Sequence, residues 1–111
     1  MGLWVLNLPW FLAKKEVFEW LLNGQKTIDV RKGSPKPGVI AVFQSGTCML
    51  RLKIVKIESG CLSEILRLDN FKAVVPSAGE FDDAVDYLRR IYGVCDGVFT
   101  AYYIEPLSEK C

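Results

Sequence analysis

The chain has 111 residues, half of them hydrophobic and 24% charged, with a net charge of +1. That is ordinary globular usage, and the length suits one domain over residues 1–111 with a core that needs no staples. It contains no histidine, so any chemistry must come from other side chains. The charge is uneven: residues 1–56 hold nine Lys/Arg against three Asp/Glu, and residues 57–111 hold five against ten. Such asymmetry is compatible with one basic face, a footprint for nucleic acid, provided the two halves do not interleave in space.

The segment from Leu3 to Ala13 is strongly apolar. No basic region precedes it, Asn7 and Pro9 interrupt it, and it falls short of the roughly 20 apolar residues that span a bilayer. It reads as a buried strand, Leu3 to Leu8, followed by Pro9 at a helix start. A cytoplasmic protein without membrane attachment is expected. The first helix is placed over Trp10 to Asn23, with Val17, Phe18, Leu21 and Leu22 as its apolar stripe. Gly24 ends it in a left-handed conformation.

A strand follows over Thr27 to Arg31. Ile28 and Val30 share one face, while Thr27, Asp29 and Arg31 share the other. The apolar face fixes the register, so the polar face becomes a fixed array of donors and charges. Ser34-Pro35-Lys36-Pro37-Gly38 is a loop. Val39 to Gln44 is a strand, Ser45-Gly46-Thr47 a hairpin turn, and Cys48 to Glu58 a long strand. Its apolar parity switches between Ile54 and Val55, which predicts a β-bulge.

Leu62 to Leu68 reads as a short helix. Asp69 to Ser77 is a connection, extended at Ala73 to Val75. Ser77 and Glu80 match a capping box before an amphipathic helix whose apolar positions are Phe81, Ala84, Val85, Leu88, Ile91 and Tyr92, closed by Gly93. Val98 to Leu107 is the last strand. The order β-α-β-β-β-α-α-β, with three consecutive strands on tight turns and a bulge, predicts an α+β fold. It is a small mixed, largely antiparallel β-barrel with flanking helices.

The run through Gly24, Lys26, Thr27 and Arg31, then Pro37-Gly38 and a hairpin, resembles the ASCH domain family of the PUA-like superfamily. The likeness continues through the bulged strand, the Leu62-Ser63-Glu64-Ile65-Leu66 helix, the Tyr87-Leu88-Arg89-Arg90-Ile91-Tyr92 helix end and the closing Ile104-Glu105-Pro106-Leu107. The resemblance implies a PUA-like barrel and RNA binding in a cleft beside it, with Lys26 and Arg31 at the matching positions. Some small members are amidohydrolases that deacetylate a modified cytidine with a Lys-Thr-Glu set. Here Asp29 stands at the threonine's position, and Glu80 is the acidic residue nearest to the glutamate's.

The function expected is therefore recognition of RNA or a nucleotide-like ligand at Lys26, Thr27, Asp29 and Arg31, with Trp10 as a stacking surface. Arginine supplies a planar fork for phosphate, and lysine a compact charge tuned by burial. Asp29 holds Arg31 in place as an ion-pair partner. The alternatives are a small hydrolase of an acylated nucleoside, with Lys26, Asp29 and Glu80 as its candidates, and a protein-interaction module. No cofactor is implied. Cys48, Cys61, Cys95 and Cys111 lack metal-site spacing and read as buried or incidental thiols. Asp82, Asp83 and Asp86 read as helix-start acids, with Asp86 paired to Arg90, rather than as metal ligands.

Overall fold

The computed structural model describes residues 8–107. Its elements are β1 (Trp10–Leu12), α1 (Lys15–Leu22), β2 (Ile28–Lys32), β3 (Ile40–Ser45), β4 (Cys48–Gly60), α2 (Leu62–Ile65), α3 (Phe71–Val74), α4 (Phe81–Tyr92) and β5 (Phe99–Pro106). The strands form one sheet in the order β1-β3-β4-β5-β2. All neighbours are antiparallel except β1 and β3. The sheet curls into a half-barrel, so the expected small barrel keeps an open seam between the edge strands β1 and β2.

Two cores result. Phe11, Ala41, Phe43, Leu52, Ile54, Tyr102 and Ile104 fill the concave side, and α1 lays Leu21 and Val17 against them. On the convex side, Ile28, Val30, Phe99 and Ala101 pack under Leu62, Ile65, Leu66, Val74, Val75, Ala84 and Leu88 of the later helices and their connections. Tyr102 and Tyr103 accordingly face opposite ways. Tyr102 is 1% exposed within the half-barrel, while Tyr103 pairs with Glu58 and Arg67 outside it. The bulge lies where the parity switch places it, between Ile54 and Lys56.

Several local expectations are corrected. The first helix starts at Lys15, not Trp10. Trp10–Leu12 alternates exposed, buried, exposed and pairs with Val42–Gln44, so sheet pairing overrides helix propensity. The predicted strand Leu3 to Leu8 lies outside the described residues apart from Leu8. Leu22 leaves the helix's apolar stripe and is 62% exposed. The second helix stops at Ile65, and the supposedly extended Ala73 to Val75 belongs largely to α3. Ser77 does not cap α4. The N-cap is Glu80, whose amide, like that of Gly79, donates to the Asp83 carboxylate at 3.0 and 3.2 Å. Asp86 pairs with Arg89 at 3.7 Å rather than with Arg90. Cys48 and Cys61 are exposed rather than buried, and both are free thiols.

Gly24 does end α1. Its φ is +84°, and its amide donates to the Leu21 carbonyl at 3.3 Å. An added Cβ there would meet nothing within 4 Å, so only backbone strain opposes it. Gly24→Ala is expected to cost about 1 kcal/mol in urea denaturation, with the denaturant slope unchanged.

Candidate functional site

Edge strands leave every second carbonyl without a ladder partner. The Thr27 carbonyl accepts from Ile104 of β5, so the carbonyls of Ile28 and Val30 point the other way, into the seam. Side chains occupy both of them. Lys26 Nζ donates to the Ile28 carbonyl at 2.9 Å, and the Tyr92 hydroxyl donates to the Val30 carbonyl at 2.8 Å. Lys26 also donates to the Val74 carbonyl at the end of α3, one of the acceptors that a helix terminus leaves open. The amide of Thr27 donates to the neighbouring Ala73 carbonyl at 3.1 Å, so the start of β2 is tied to α3.

The polar face of β2 turns toward the concave side and is buried at its middle, while Thr27 stays exposed and Arg31 is partly covered. Asp29 is 3% exposed and Lys26 7%. The ion pair expected between Asp29 and Arg31 forms, with Arg31 Nε donating to Oδ2 at 2.6 Å, and Lys26 Nζ lies 3.9 Å from Oδ1. Arg31 Nη1 then reaches across the seam to the Leu12 carbonyl of β1 at 3.0 Å. One guanidinium thus links the two sheet edges. It also lies 4.7 Å from the ring centre of Phe11, a cation–π contact.

Burial lowers the Lys26 ammonium to a pKa of about 8; Asp29 works against this and Arg31 with it. Burial also opposes the charge on Arg31, but Asp29 outweighs it and holds the guanidinium above its ordinary value. Burial pushes the Tyr92 hydroxyl up to about 12. Near neutral pH Lys26 therefore still holds its proton, as does Arg31.

Lys26, Asp29 and Arg31 line one cleft of about 170 Å³ between α1, β2 and α4. Its other walls include Lys14, Trp20, Tyr87 and Tyr92. Trp20 and Tyr87 are in tilted contact, with ring centres 5.8 Å apart, and the Tyr87 hydroxyl donates to Glu16 at 3.3 Å. Asp29 is the one carboxylate lining this cleft among the described residues.

Three other candidates fall elsewhere. Thr27 is exposed and lines a separate hollow of about 460 Å³ beside Leu21, Met49 and Pro106, which Lys26 also borders. Trp10 stands on β1, over the seam, and not over the cleft. Glu80 is exposed at the start of α4 and lines neither hollow. Sequence reasoning weighs Trp20 as a stacking ring but prefers Trp10, and it misses Tyr87 and Tyr92 as cleft residues. Tyr92 reads as core packing at helical spacing, and only the docking of α4 beside α1 brings both tyrosines to β2.

No family model matches the chain, and no curated protein matches it. Solved structures do. The crystal structure of hypothetical protein PH0355 is 22% identical, with a TM-score of 0.71, over 90% of this chain and 100% of that one. The solution structure of protein PF0455 from Pyrococcus furiosus is 23% identical, with a TM-score of 0.64, over 91% of this chain and 98% of that one. At such identity the likeness establishes a shared α+β fold and carries no function with it.

Proposed function

We propose that the protein binds RNA or a nucleotide-like ligand in the cleft between α1, β2 and α4, as a domain of the ASCH type acting in RNA metabolism in the cytosol. The observation that carries this reading is the convergence of Arg31, Lys26 and Asp29 with Trp20, Tyr87 and Tyr92 around one concavity. Aromatic walls accept the face of a base, and a fixed guanidinium accepts phosphate or base-edge oxygens. Asp29 does not repel an anion here, because two cations hold it and only 3% of its surface is exposed. A flat polar face would have favoured a protein-interaction module; the cleft is concave.

The test is titration of short single-stranded RNA and of mononucleotides into the parent and into Arg31→Lys. Lysine keeps the charge beside Asp29 but loses the planar fork. RNA affinity is expected to fall about tenfold, with the circular dichroism spectrum unchanged. Equal affinity in both proteins would remove the reading.

One observation favours the hydrolytic alternative: a buried amine with a pKa of about 8 beside a carboxylate. Lysines tuned into that range serve as bases. Glu80 takes no part, being remote, so Asp29 would be the remaining acidic partner. Release of acetate from acetylated cytidine by the parent, abolished in Lys26→Met, is the outcome this alternative requires.

A further inference from the structure

The cleft alone is small. At about 170 Å³ it falls below the roughly 300–1,000 Å³ typical of small-ligand sites, so it suits a single ring system. A second hollow of about 320 Å³ lies over the seam, lined by Trp10, Phe11, Lys32, Ser34, Lys36 and Tyr102. The two hollows share Leu12, Arg31 and Tyr92, which form the ridge between them.

Three features make the seam hollow a prepared surface. Trp10 is 50% exposed, yet its indole is held: Nε1 donates to Gln44 Oε1 at 2.9 Å, and Gln44 Nε2 donates to the Gly46 carbonyl at 2.9 Å. The loop carrying Lys36 is anchored over the seam, because the Lys36 amide donates to the Tyr102 hydroxyl at 3.0 Å. Its ammonium lies 5.5 Å from the centre of the same Phe11 ring that Arg31 faces. Arg31 itself uses Nε and Nη1 within the protein, and Nη2 makes no hydrogen bond among the described residues. The ridge therefore presents a free guanidinium edge with a second cation nearby, between an aromatic cleft and an oriented exposed indole.

We propose that the seam hollow is a second subsite, which takes the nucleotide adjoining the one in the cleft and stacks its base on Trp10. The phosphate joining the two sits on Arg31 and Lys36. The ligand class is then a single-stranded RNA segment of at least two nucleotides rather than a free nucleoside. This inference rests on the nucleotide-binding reading of the cleft. An immobilised indole loses little entropy on stacking, and one base on one aromatic ring supports a measurable share of affinity.

The experiment compares the four homodinucleotides with the matching mononucleotides by titration calorimetry, on the parent, Trp10→Ala and Trp10→Phe. Trp10 is exposed, so neither variant threatens the core. The parent is expected to bind its preferred dinucleotide at least tenfold more tightly than the mononucleotide. Trp10→Ala removes most of that difference and leaves mononucleotide affinity unchanged, while Trp10→Phe retains much of it. Equal affinity of the parent for both ligand lengths overturns the second subsite and leaves the cleft standing. So does an unchanged dinucleotide affinity in Trp10→Ala. Absence of binding by either length overturns the second subsite together with the cleft reading.

Discussion

Asp29→Asn is expected to lower the unfolding free energy by about 3–5 kcal/mol at neutral pH, the range for removing one partner of a buried charge group. The substitution keeps the volume of the side chain and deletes only its charge. What remains is an ammonium, 7% exposed, and a guanidinium whose side chain is 24% exposed, with no anion between them. Neither can turn to water without cost. Lys26 is tied to the carbonyls of Ile28 and Val74, and Arg31 to that of Leu12 across the seam. Part of the loss is therefore paid in mutual repulsion and part in a loosened junction between β1 and β2. Urea denaturation of the two proteins measures it. A double variant, Asp29→Asn with Arg31→Met, should lose less than the sum of its single variants, because it removes one of the stranded charges. A loss below about 1 kcal/mol in Asp29→Asn would show that the carboxylate is not what holds the two cations together.

The strand pattern is legible because it is local. Period-two alternation places Ile28 and Val30 opposite Asp29 and Arg31, and the shift of parity after Ile54 places the bulge. Alternation does not say which face of an edge strand is wet. Here helices packed on the convex side take Ile28 and Val30, and the polar face is closed over by Phe11, Tyr102 and α1, so Asp29 becomes more deeply buried than any exposed-strand reading allows. β1 was illegible for a different reason. Three residues leading into an amphipathic helix carry too little periodicity to stand apart from it, and their partner, Val42–Gln44, lies some thirty residues on. α3 was hidden by its four-residue length and by the β-branched pair Val74-Val75. The site shows the same division. Asp29 and Arg31 could be grouped by parity and Lys26 added by its nearness in sequence, whereas Trp20, Tyr87 and Tyr92 join them only through tertiary docking.

The second large effect is a pH dependence whose sign follows from Lys26. Its pKa is about 8 in the folded protein and 10.5 as the ordinary value for the unfolded chain. Below about pH 8 both states carry the proton, and the folded protein bears the full cost of burying a charge. Between about pH 8 and 10.5 the unfolded chain binds more protons than the folded one, so stability rises with pH across that window. From pH 7 to pH 10 the contribution of Lys26 should become more favourable by about 2 kcal/mol. Other groups titrate over the same range, so the quantity to measure is the difference in unfolding free energy between the parent and Lys26→Met at each pH. Methionine keeps the length of the side chain and removes its charge, which makes the difference specific to this amine. The parent should gain on the variant as the pH rises. A difference that stays flat, or that moves toward the variant, would mean that the amine keeps its proton in the folded state through Asp29 and the two carbonyls. That result would also remove the support for a basic lysine in the cleft, while leaving the guanidinium and the aromatic walls to bind a nucleotide.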